Sequence, residues 1–454
     1  MPAPARFVLE VFDDLWDRLV DPADAVYDAD GTRWLALAGA GAAAPHAAVP
    51  FMTEAELRAV RNQCRALAAN NEFAINGHEN RISYLVGPGH VYRVVPKPGR
   101  TGPEVERLAH QAQAVVDEFL RVNTWRKRQQ EIVRRMDRDG EAFLRFFPGA
   151  DGVLRVRFVE PDQVATPPQR AADPAASFGI QTEPEDVETV LGYWIDGRLV
   201  PAEEVQHRKA NVDANVKRGL PLFYPVLKNL RRAEKLLRNM SVVAEIQSAI
   251  ALIRKHSGAT RGGVQQFVQG QADAVVAGPA PGRTAHFRRY APGTILDALA
   301  GTEYQFPAAG IDAARYVAVL QAELRAIASR LVMPEFMLTS DASNANYAST
   351  MVAEGPAVRM FQRLQRDLIE DDLEVLWRAV RGAVAAGRLP ADALDHLALD
   401  AQAPSLAVRD RLREAQADRI LVACGAMSAE TMAARHGLDP RRERGDIEAA
   451  KNGY

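Results

Sequence analysis

The sequence predicts an α+β protein in which two long helices bracket a small insert. Residues 222–256 contain no glycine, and their one proline, Pro225, lies in the first turn, where it does not break a helix. Residues 142–147 and 154–159 alternate in side-chain character around a glycine-containing turn, which indicates a β-hairpin. A second apolar stripe at helical spacing occupies residues 317–331.

The stretch 222–256 predicts one unbroken helix with a narrow apolar seam. The seam residues are separated by alternating steps of four and three, as expected when a helix packs along a neighbouring helix of similar length. They are Val226, Leu230, Ala233, Leu237, Met240 and Ala244.

Residues 52–221 predict a mixed α+β region. Its first helix carries a capping-box signature, in which Thr53 is followed by Glu56. The predicted elements are a helix over 52–70, strands at 83–87 and 90–95, a helix over 103–136 that is interrupted near Asn123 and Thr124, and hairpins at 142–159 and 190–200.

The second half of the chain is predicted to be mainly helical. Residues 257–306 form a compact insert of short strands, and the helix after it ends before Pro334 because the residue preceding a proline disfavours helical geometry. Residues 333–349 have a polar loop composition. A third long helix follows over 350–384 with a possible bend at Gly355 and Pro356, and a small helical module begins near residue 389.

Composition excludes several classes of protein. The chain has 454 residues, a net charge of −2 and only two cysteines, Cys64 and Cys424, which excludes a disulfide framework or a thiolate zinc cluster. Neither a leader pattern nor a membrane-spanning stretch is recognisable. We therefore expect a soluble, unexported protein with no membrane partner.

Charge is unevenly distributed along the chain. Residues 205–261 hold twelve Lys or Arg and three acids, whereas residues 367–374 hold five acids on a predicted helix. For the basic stretch two interpretations stay open, contact with phosphate or pairing with acidic neighbours in an assembly. For the acidic segment a solvated or inter-subunit face is favoured over a metal site, because no histidine accompanies it.

Catalytic motifs are weak throughout. Asp137, Arg138, Asp139 and Gly140 resemble the start of a calcium loop, but the twelfth position is Pro148 where a glutamate is required. His78 and His90 provide only loose evidence for a metal pair, and no nucleophile is accompanied by a base. The sequence predicts no catalytic residues, no metal and no cofactor.

Four segments in a fixed order resemble the lambda-like family of bacteriophage portal proteins. They are the Arg-x-Leu-x-x-Asn-Asn segment at 65–71, Asp-Gly-Glu-Ala-Phe at 139–143, Arg-Gly-Leu-Pro at 218–221, and the stretch from Met333 to Ser349 that ends in Asn-Tyr-Ala-Ser. Ala348 stands where the family often has serine, and Met351 stands where an arginine is expected. The stretch 207–217 is also more charged than the family pattern.

The resemblance implies a non-enzymatic ring, usually of twelve subunits, at one vertex of a capsid in the virion, assembled in the cytoplasm of a bacterial host. Implied partners are non-specifically bound double-stranded DNA, the large subunit of the terminase, a head-completion or adaptor protein, and the major capsid and scaffold proteins. The implied domains are an N-terminal arm (1–51), a wing (52–221 with 350–388), a stem (222–256 and 307–332), a clip (257–306), a tunnel loop (333–349) and a helical crown (389–454).

Two groups of candidate site residues follow from the resemblance. Small polar side chains in the tunnel loop would contact passing DNA without specific readout, and an ordinary surface loop is the less favoured alternative. These are Thr339, Ser340, Asp341, Ser343, Asn344 and Asn346. Basic clip residues would bind the packaging ATPase and later the head-completion proteins, and these are Arg261, Arg283, Arg288 and Arg289.

Two rival hypotheses remain at this point. A metal-dependent DNA-processing enzyme would use the acidic helix and the basic insert together, and would be a monomer or dimer. A non-viral structural ring would assemble without DNA.

Overall fold

The computed structural model of the protein contains both helices and strands, and it divides the chain into two compact units. One unit comprises Met1–Lys228 and Ile327–Tyr454, and the other comprises Asn229–Ala326. The described residues are 53–100, 102–255, 294–298, 313–341, 347–406, 411–435, 438 and 440–452.

Among the described residues, the first unit begins with four helices and a strand. They are α1 (Glu54–Asn70), α2 (Glu72–Leu85), β1 (Val91–Pro96), α3 (Pro103–Val122) and α4 (Trp125–Asp139). The predicted capping box is confirmed, since the Thr53 hydroxyl accepts from the Glu56 amide and the Glu56 carboxylate accepts from the Thr53 amide. The predicted interruption near Asn123 and Thr124 is also confirmed, because Thr124 takes a left-handed conformation between α3 and α4.

Two three-stranded antiparallel sheets follow. Their strands are β2 (Glu141–Pro148), β3 (Leu154–Val159), β4 (Ile180–Thr182), β5 (Val190–Ile195), β6 (Arg198–Pro201) and β7 (Val205–Lys209). The orders are β3-β2-β7 and β4-β5-β6, so both predicted hairpins are confirmed. A shared core that includes Phe143, Ile180 and Tyr193 lies between these strands.

The second unit contains most of two helices and a strand pair. The helices are α5 (Leu227–Ala249) and α6 (Ala313–Leu331), and the strands β8 (Ile250–Lys255) and β9 (Thr294–Ala298) pair in parallel. The Asn229 amide donates to the Glu323 carboxylate at 2.6 Å and so links α5 to α6. Leu230 and Ala233 of the predicted seam are fully buried, whereas Ala244 is exposed.

The remaining elements belong to the first unit. They are α7 (Glu335–Thr339), α8 (Tyr347–Ala385), α9 (Ala393–His396), β10 (Leu397–Gln402), α10 (Arg411–Ala423), α11 (Ala429–Arg435) and α12 (Pro440–Asn452). The predicted stop before Pro334 is confirmed, since α6 ends at Leu331 and Val332 has a positive φ of 52°. Strand β10 pairs with β1 in antiparallel register.

Three predictions of secondary structure are wrong. Residues 83–85 belong to α2 and not to a strand. A short apolar run is compatible with either structure. The helix is stabilised here by the Asn71 cap and by its buried face. The helix predicted over 222–256 ends at Ala249, because residues 250–255 form strand β8, which pairs with β9. The module after residue 389 contains β10 in addition to its predicted helices.

The predicted loop at 333–349 is also partly helical. Residues 335–339 form α7, and α8 already begins at Tyr347. Within the described residues, the predicted loop keeps a non-helical backbone at Met333, Pro334, Ser340 and Asp341. Helix α8 runs through Pro356 as one helix, which confirms the predicted third long helix.

Candidate functional site

Two of the recognised motifs meet at one buried carboxylate, Glu141. Arg218 donates to both Glu141 oxygens through Nε, at 2.9 and 3.0 Å, and through Nη2 at 2.7 Å. Arg61 donates to the same carboxylate, and the His207 Nε2 lies 3.0 Å from its other oxygen. Burial alone would raise the pKa of Glu141, but Arg218 and Arg61 outweigh burial and hold that pKa well below its usual value.

Asp139 is a second carboxylate of the motif at 139–143, and it accepts a hydrogen bond from Arg65 of the motif at 65–71. The Arg65 Nε donates to Asp139 at 2.6 Å, and the Arg65 Nη1 donates to Asp162 at 2.7 Å. Asp139 is buried while Arg65 is partly exposed. The motifs at 65–71, 139–143 and 218–221 are therefore joined by charge-assisted hydrogen bonds, which sequence spacing alone did not predict.

The glycines of two motifs allow their backbones to approach each other. A Cβ at Gly219 would overlap the carbonyl of Gly140, and a Cβ at Gly140 would overlap the backbone of Leu220. Gly140 also has a positive φ of 83°, which favours glycine. The Gly140 carbonyl accepts from the Ala210 amide at 2.8 Å, and the Ala210 carbonyl accepts from the Leu220 amide at 3.0 Å, so Ala210 joins the two backbones.

Arg218 uses its remaining donors on main-chain carbonyls. Nη1 donates to Val164 at 2.9 Å and to Phe178 at 2.8 Å, and Nη2 donates to Pro161 at 2.9 Å. The guanidinium thus connects the segment between β3 and β4 to Glu141 at the start of β2. Every donor of this side chain is engaged within the fold, which makes Arg218 a structural residue.

The acidic segment contains a buried carboxylate, Asp372. Its Oδ2 accepts from Gln129 at 2.8 Å, from the Trp125 indole at 3.2 Å and from the Tyr92 hydroxyl, and its Oδ1 accepts from Arg208 at 2.8 Å. The prediction of a solvated or inter-subunit face is wrong for this residue. Because both oxygens are occupied by donors, Asp372 is not available as a metal ligand.

The two candidate metal histidines contact different partners. His78 Nδ1 lies 3.4 Å from Asp137, whose carboxylate also accepts two hydrogen bonds from Arg81. The His90 Nε2 lies 2.8 Å from the Leu85 carbonyl. Across the described ranges, no group of three His, Cys, Asp or Glu side chains could hold a metal ion.

The basic stretch 205–261 is in part internal. Arg208, Lys217 and Arg218 are buried. Arg208 pairs with Asp372 in the same chain, and Lys217 donates to main-chain carbonyls. These three side chains are therefore not available to bind phosphate. Of the other basic residues in the stretch, Arg232, Lys235 and Arg238 are exposed on α5.

The predicted loop residues are only partly described. Thr339 ends α7, while Ser340 and Asp341 are exposed. Ser343, Asn344 and Asn346 lie outside the described residues, as do the four clip residues Arg261, Arg283, Arg288 and Arg289.

Sequence reasoning missed two asparagines that hold the segment before this loop. Asn76 and Asn80 lie one turn apart on α2, and both side-chain amides donate to carbonyls of α7. The available signal was the pair of amides at i and i+4 on one helix face, next to Gly77.

Among the described residues, the buried carboxylates of Asp137, Glu141 and Asp372 are each paired with an arginine. None of the described helices combines the length and apolar content required to cross a membrane.

The chain belongs to the lambda family of phage portal proteins, since the model of that family matches residues 40–365. This membership places the chain at the portal vertex of a virion and identifies its role as a capsid portal. No sequence among curated proteins matches the chain.

Several solved structures are similar at low identity. A chain from the neck of an empty gene transfer agent particle, computed with C6 symmetry, has a TM-score of 0.43 and 13% identity, with coverage of 83% of this chain and 94% of that chain. A chain from the virion of a native gene transfer agent particle has a TM-score of 0.40 and 13% identity, with coverage of 84% and 93%. An HK97 family portal protein from Corynebacterium diphtheriae has a TM-score of 0.31 and 16% identity, with coverage of 74% and 94%. We base the assignment on the family model alone.

Proposed function

We propose that this portal protein assembles into a closed ring of identical subunits, twelve by the pattern of its family, around a channel for double-stranded DNA. The observation that carries the proposal is the match of the portal family model to residues 40–365. The same channel would serve genome packaging and genome ejection.

Exposed apolar side chains in the second unit support a role in assembly. Val317 and Val319 on α6 are 41% and 51% exposed, and Val242 on α5 is 45% exposed. Exposed apolar side chains favour contact with another protein surface. In a cyclic ring, every subunit buries the same surfaces against its two neighbours, so these helices are suited to that contact.

The loop from Thr339 to Asn346 is proposed to contact the passing DNA. Its residues are small and polar, and its one charged residue is Asp341. Such side chains make weak contacts with the phosphate backbone and carry no sequence information, which suits a duplex that must slide.

Deletion of residues 339–346 tests this role. We expect the shortened chain to form rings of unchanged mass while DNA packaging or DNA retention in particles falls. Ring mass by native mass spectrometry and encapsidated DNA per particle are the two readouts. Failure of the rings to form, or unchanged packaging with intact rings, contradicts the assignment of the loop.

The clip residues Arg261, Arg283, Arg288 and Arg289 are proposed to bind the large subunit of the terminase and, later, a head-completion protein. Contacts with the major capsid and scaffold proteins are proposed for the ring as a whole. Support for the clip comes from the clustering of three of these arginines within residues 283–289 and from its place between two long helices in the sequence. Replacing the four arginines by glutamine should weaken terminase binding in a pull-down with intact rings, whereas unchanged binding excludes this surface.

A further inference from the structure

Helix α7 is a five-residue helix whose carbonyls are bound by side chains of α2. The Asn80 amide donates to the Met337 carbonyl at 2.6 Å. The Asn76 amide donates to the Leu338 carbonyl at 2.7 Å and to the Met337 carbonyl at 3.2 Å. Because the last carbonyls of a helix have no partner within it, these amides act as an external C-terminal cap, which we name the amide clamp.

The surface of α2 between the two asparagines is shaped for this contact. Gly77 lies on that surface, and a Cβ there would lie 2.5 Å from Leu331 Cδ1 and 3.1 Å from Leu338 Cδ1. Leu338 is buried with only 1% of its surface exposed. The short helix therefore packs directly against the α2 backbone, with the amide clamp alongside the apolar contact.

The chain turns away from α2 immediately after the amide clamp. Ser340 takes a left-handed conformation with φ of 58°, and its hydroxyl lies 3.5 Å from the Asn76 amide. The Thr339 hydroxyl donates to the Glu335 carbonyl at 3.0 Å and accepts from the Asp341 amide at 3.3 Å. The backbone at Asp341 is therefore held by two hydrogen bonds within residues 335–341 and by the contact between Ser340 and Asn76 of α2.

Helix α8 packs on the same helix. The rings of Tyr84 and Phe361 stack with centroids 5.0 Å apart, and the Gln365 amide donates to the Tyr84 carbonyl at 2.9 Å. One helix, α2, consequently supports both α7 and α8.

We propose that Asn76 and Asn80 are positioning residues, which fix where the chain leaves α7 and thereby place Thr339, Ser340 and Asp341 for contact with DNA. This inference rests on the proposed role of the loop. The asparagines themselves do not touch DNA; they act by holding the carbonyls of Met337 and Leu338.

The test replaces both donors by an apolar side chain of similar size, in the double variant Asn76→Leu/Asn80→Leu. The matched control is Asn62→Leu, since Asn62 is an exposed asparagine on α1. We expect rings of unchanged mass and roughly tenfold to a hundredfold faster amide hydrogen exchange over residues 335–341, as expected for the loss of one or two hydrogen bonds. DNA packaged per particle should fall several-fold, and the control should match the parent protein in all three measurements.

The outcomes separate the two proposals. Unchanged exchange over 335–341 overturns the proposal, because the asparagines then do not hold α7. Faster exchange with normal packaging, when the deletion of residues 339–346 impairs packaging, overturns the positioning role of the asparagines. Normal packaging by the deletion variant overturns the role of the loop, while the exchange measurement still decides whether the asparagines hold α7. If the double variant forms no rings, the single variant Asn80→Leu is measured, and its failure to assemble shows a purely structural role and contradicts the proposal.

Discussion

At the scale of single residues, stability depends on a few charged side chains that have no access to water. Glu141 is fully buried and has Arg61, Arg218 and His207 as partners. Removing one partner of a buried ion pair leaves an uncompensated charge, which costs more than the pair itself contributes.

We predict that Glu141→Gln lowers the free energy of unfolding by about 3–5 kcal/mol near neutral pH, as for other broken buried ion pairs. Urea denaturation monitored by circular dichroism measures the change. The control is Glu185→Gln, since Glu185 is exposed. Equal midpoints for the two variants would contradict the structural role of Glu141.

We also predict that the stability difference between the parent protein and Glu141→Gln depends on pH. The pKa of Glu141 is held well below its usual 4.5 in the folded chain, so its contribution is present above that value and is lost as the pH falls toward the folded pKa. The stability difference between parent and Glu141→Gln should therefore be constant near neutral pH and shrink in acid. A difference that grows on acidification would contradict this sign.

Lys217 is a buried ammonium surrounded by neutral oxygens. Its Nζ donates to the carbonyls of Ala175 at 2.9 Å, Pro174 at 3.0 Å and Ile180 at 3.0 Å, and to the Ser177 hydroxyl at 3.1 Å. The ammonium thereby holds together the turn that precedes β4.

We predict that Lys217→Met destabilises the chain by about 1–3 kcal/mol or more, because buried carbonyls lose their donor while the apolar volume is retained. The matched control Lys127→Met changes an exposed lysine on α4. Thermal melts of both variants compare the two sites. A Lys217→Met melting temperature equal to that of the control would show that the carbonyls find other donors.

At the scale of elements, the crossing of two backbones depends on glycine. Gly219→Ala would place a methyl group against the Gly140 carbonyl, and the main chain must move to relieve the overlap. We predict a loss of stability of about 1–3 kcal/mol or more, as for other overpacked sites.

The matched control is Gly382→Ala within α8, where the nearest atom to an added Cβ lies 4.0 Å away. Alanine forms helices better than glycine by roughly 0.5–1 kcal/mol, so this control should gain stability. Chemical denaturation of both variants gives the comparison. Opposite signs are expected, and a loss for both or a gain for both would contradict the account of the crossing.

Local signals in the sequence predicted many elements correctly. The capping box at Thr53, the break at Thr124 and the turns of the hairpins depend only on residues close in sequence. Strands β8 and β10 were missed because their partners, β9 and β1, are distant in sequence. A short apolar run without its partner has no distinctive pattern, so tertiary pairing decided these cases.

In the candidate site, too, the local motifs could be predicted from the sequence, whereas the contacts between them could not. The motifs containing Arg65, Asp139 and Arg218 were recognisable, but their contacts at Asp139 and Glu141 depend on how helices and strands pack. The burial of Asp372 was missed for a similar reason: its donors come from three other elements. Asn76 and Asn80 could be found only once α7 was placed against α2.

At the scale of the whole molecule, the central claim is that identical subunits close into a ring around DNA. Family membership rests on residues 40–365, and the rod-like helices of the second unit expose Val242, Val317 and Val319. A rival DNA-processing enzyme would need an open metal site, and Asp372 in the acidic segment is instead occupied by protein donors.

Native mass spectrometry of the purified full-length chain, with two-dimensional averaging of negatively stained particles from the same sample, tests this claim most directly. We expect closed rings of about twelve subunits, as in the family's usual assembly, with a central opening wide enough for duplex DNA. A sample that contains only monomers or dimers at micromolar concentration, or particles without a central opening, would contradict it.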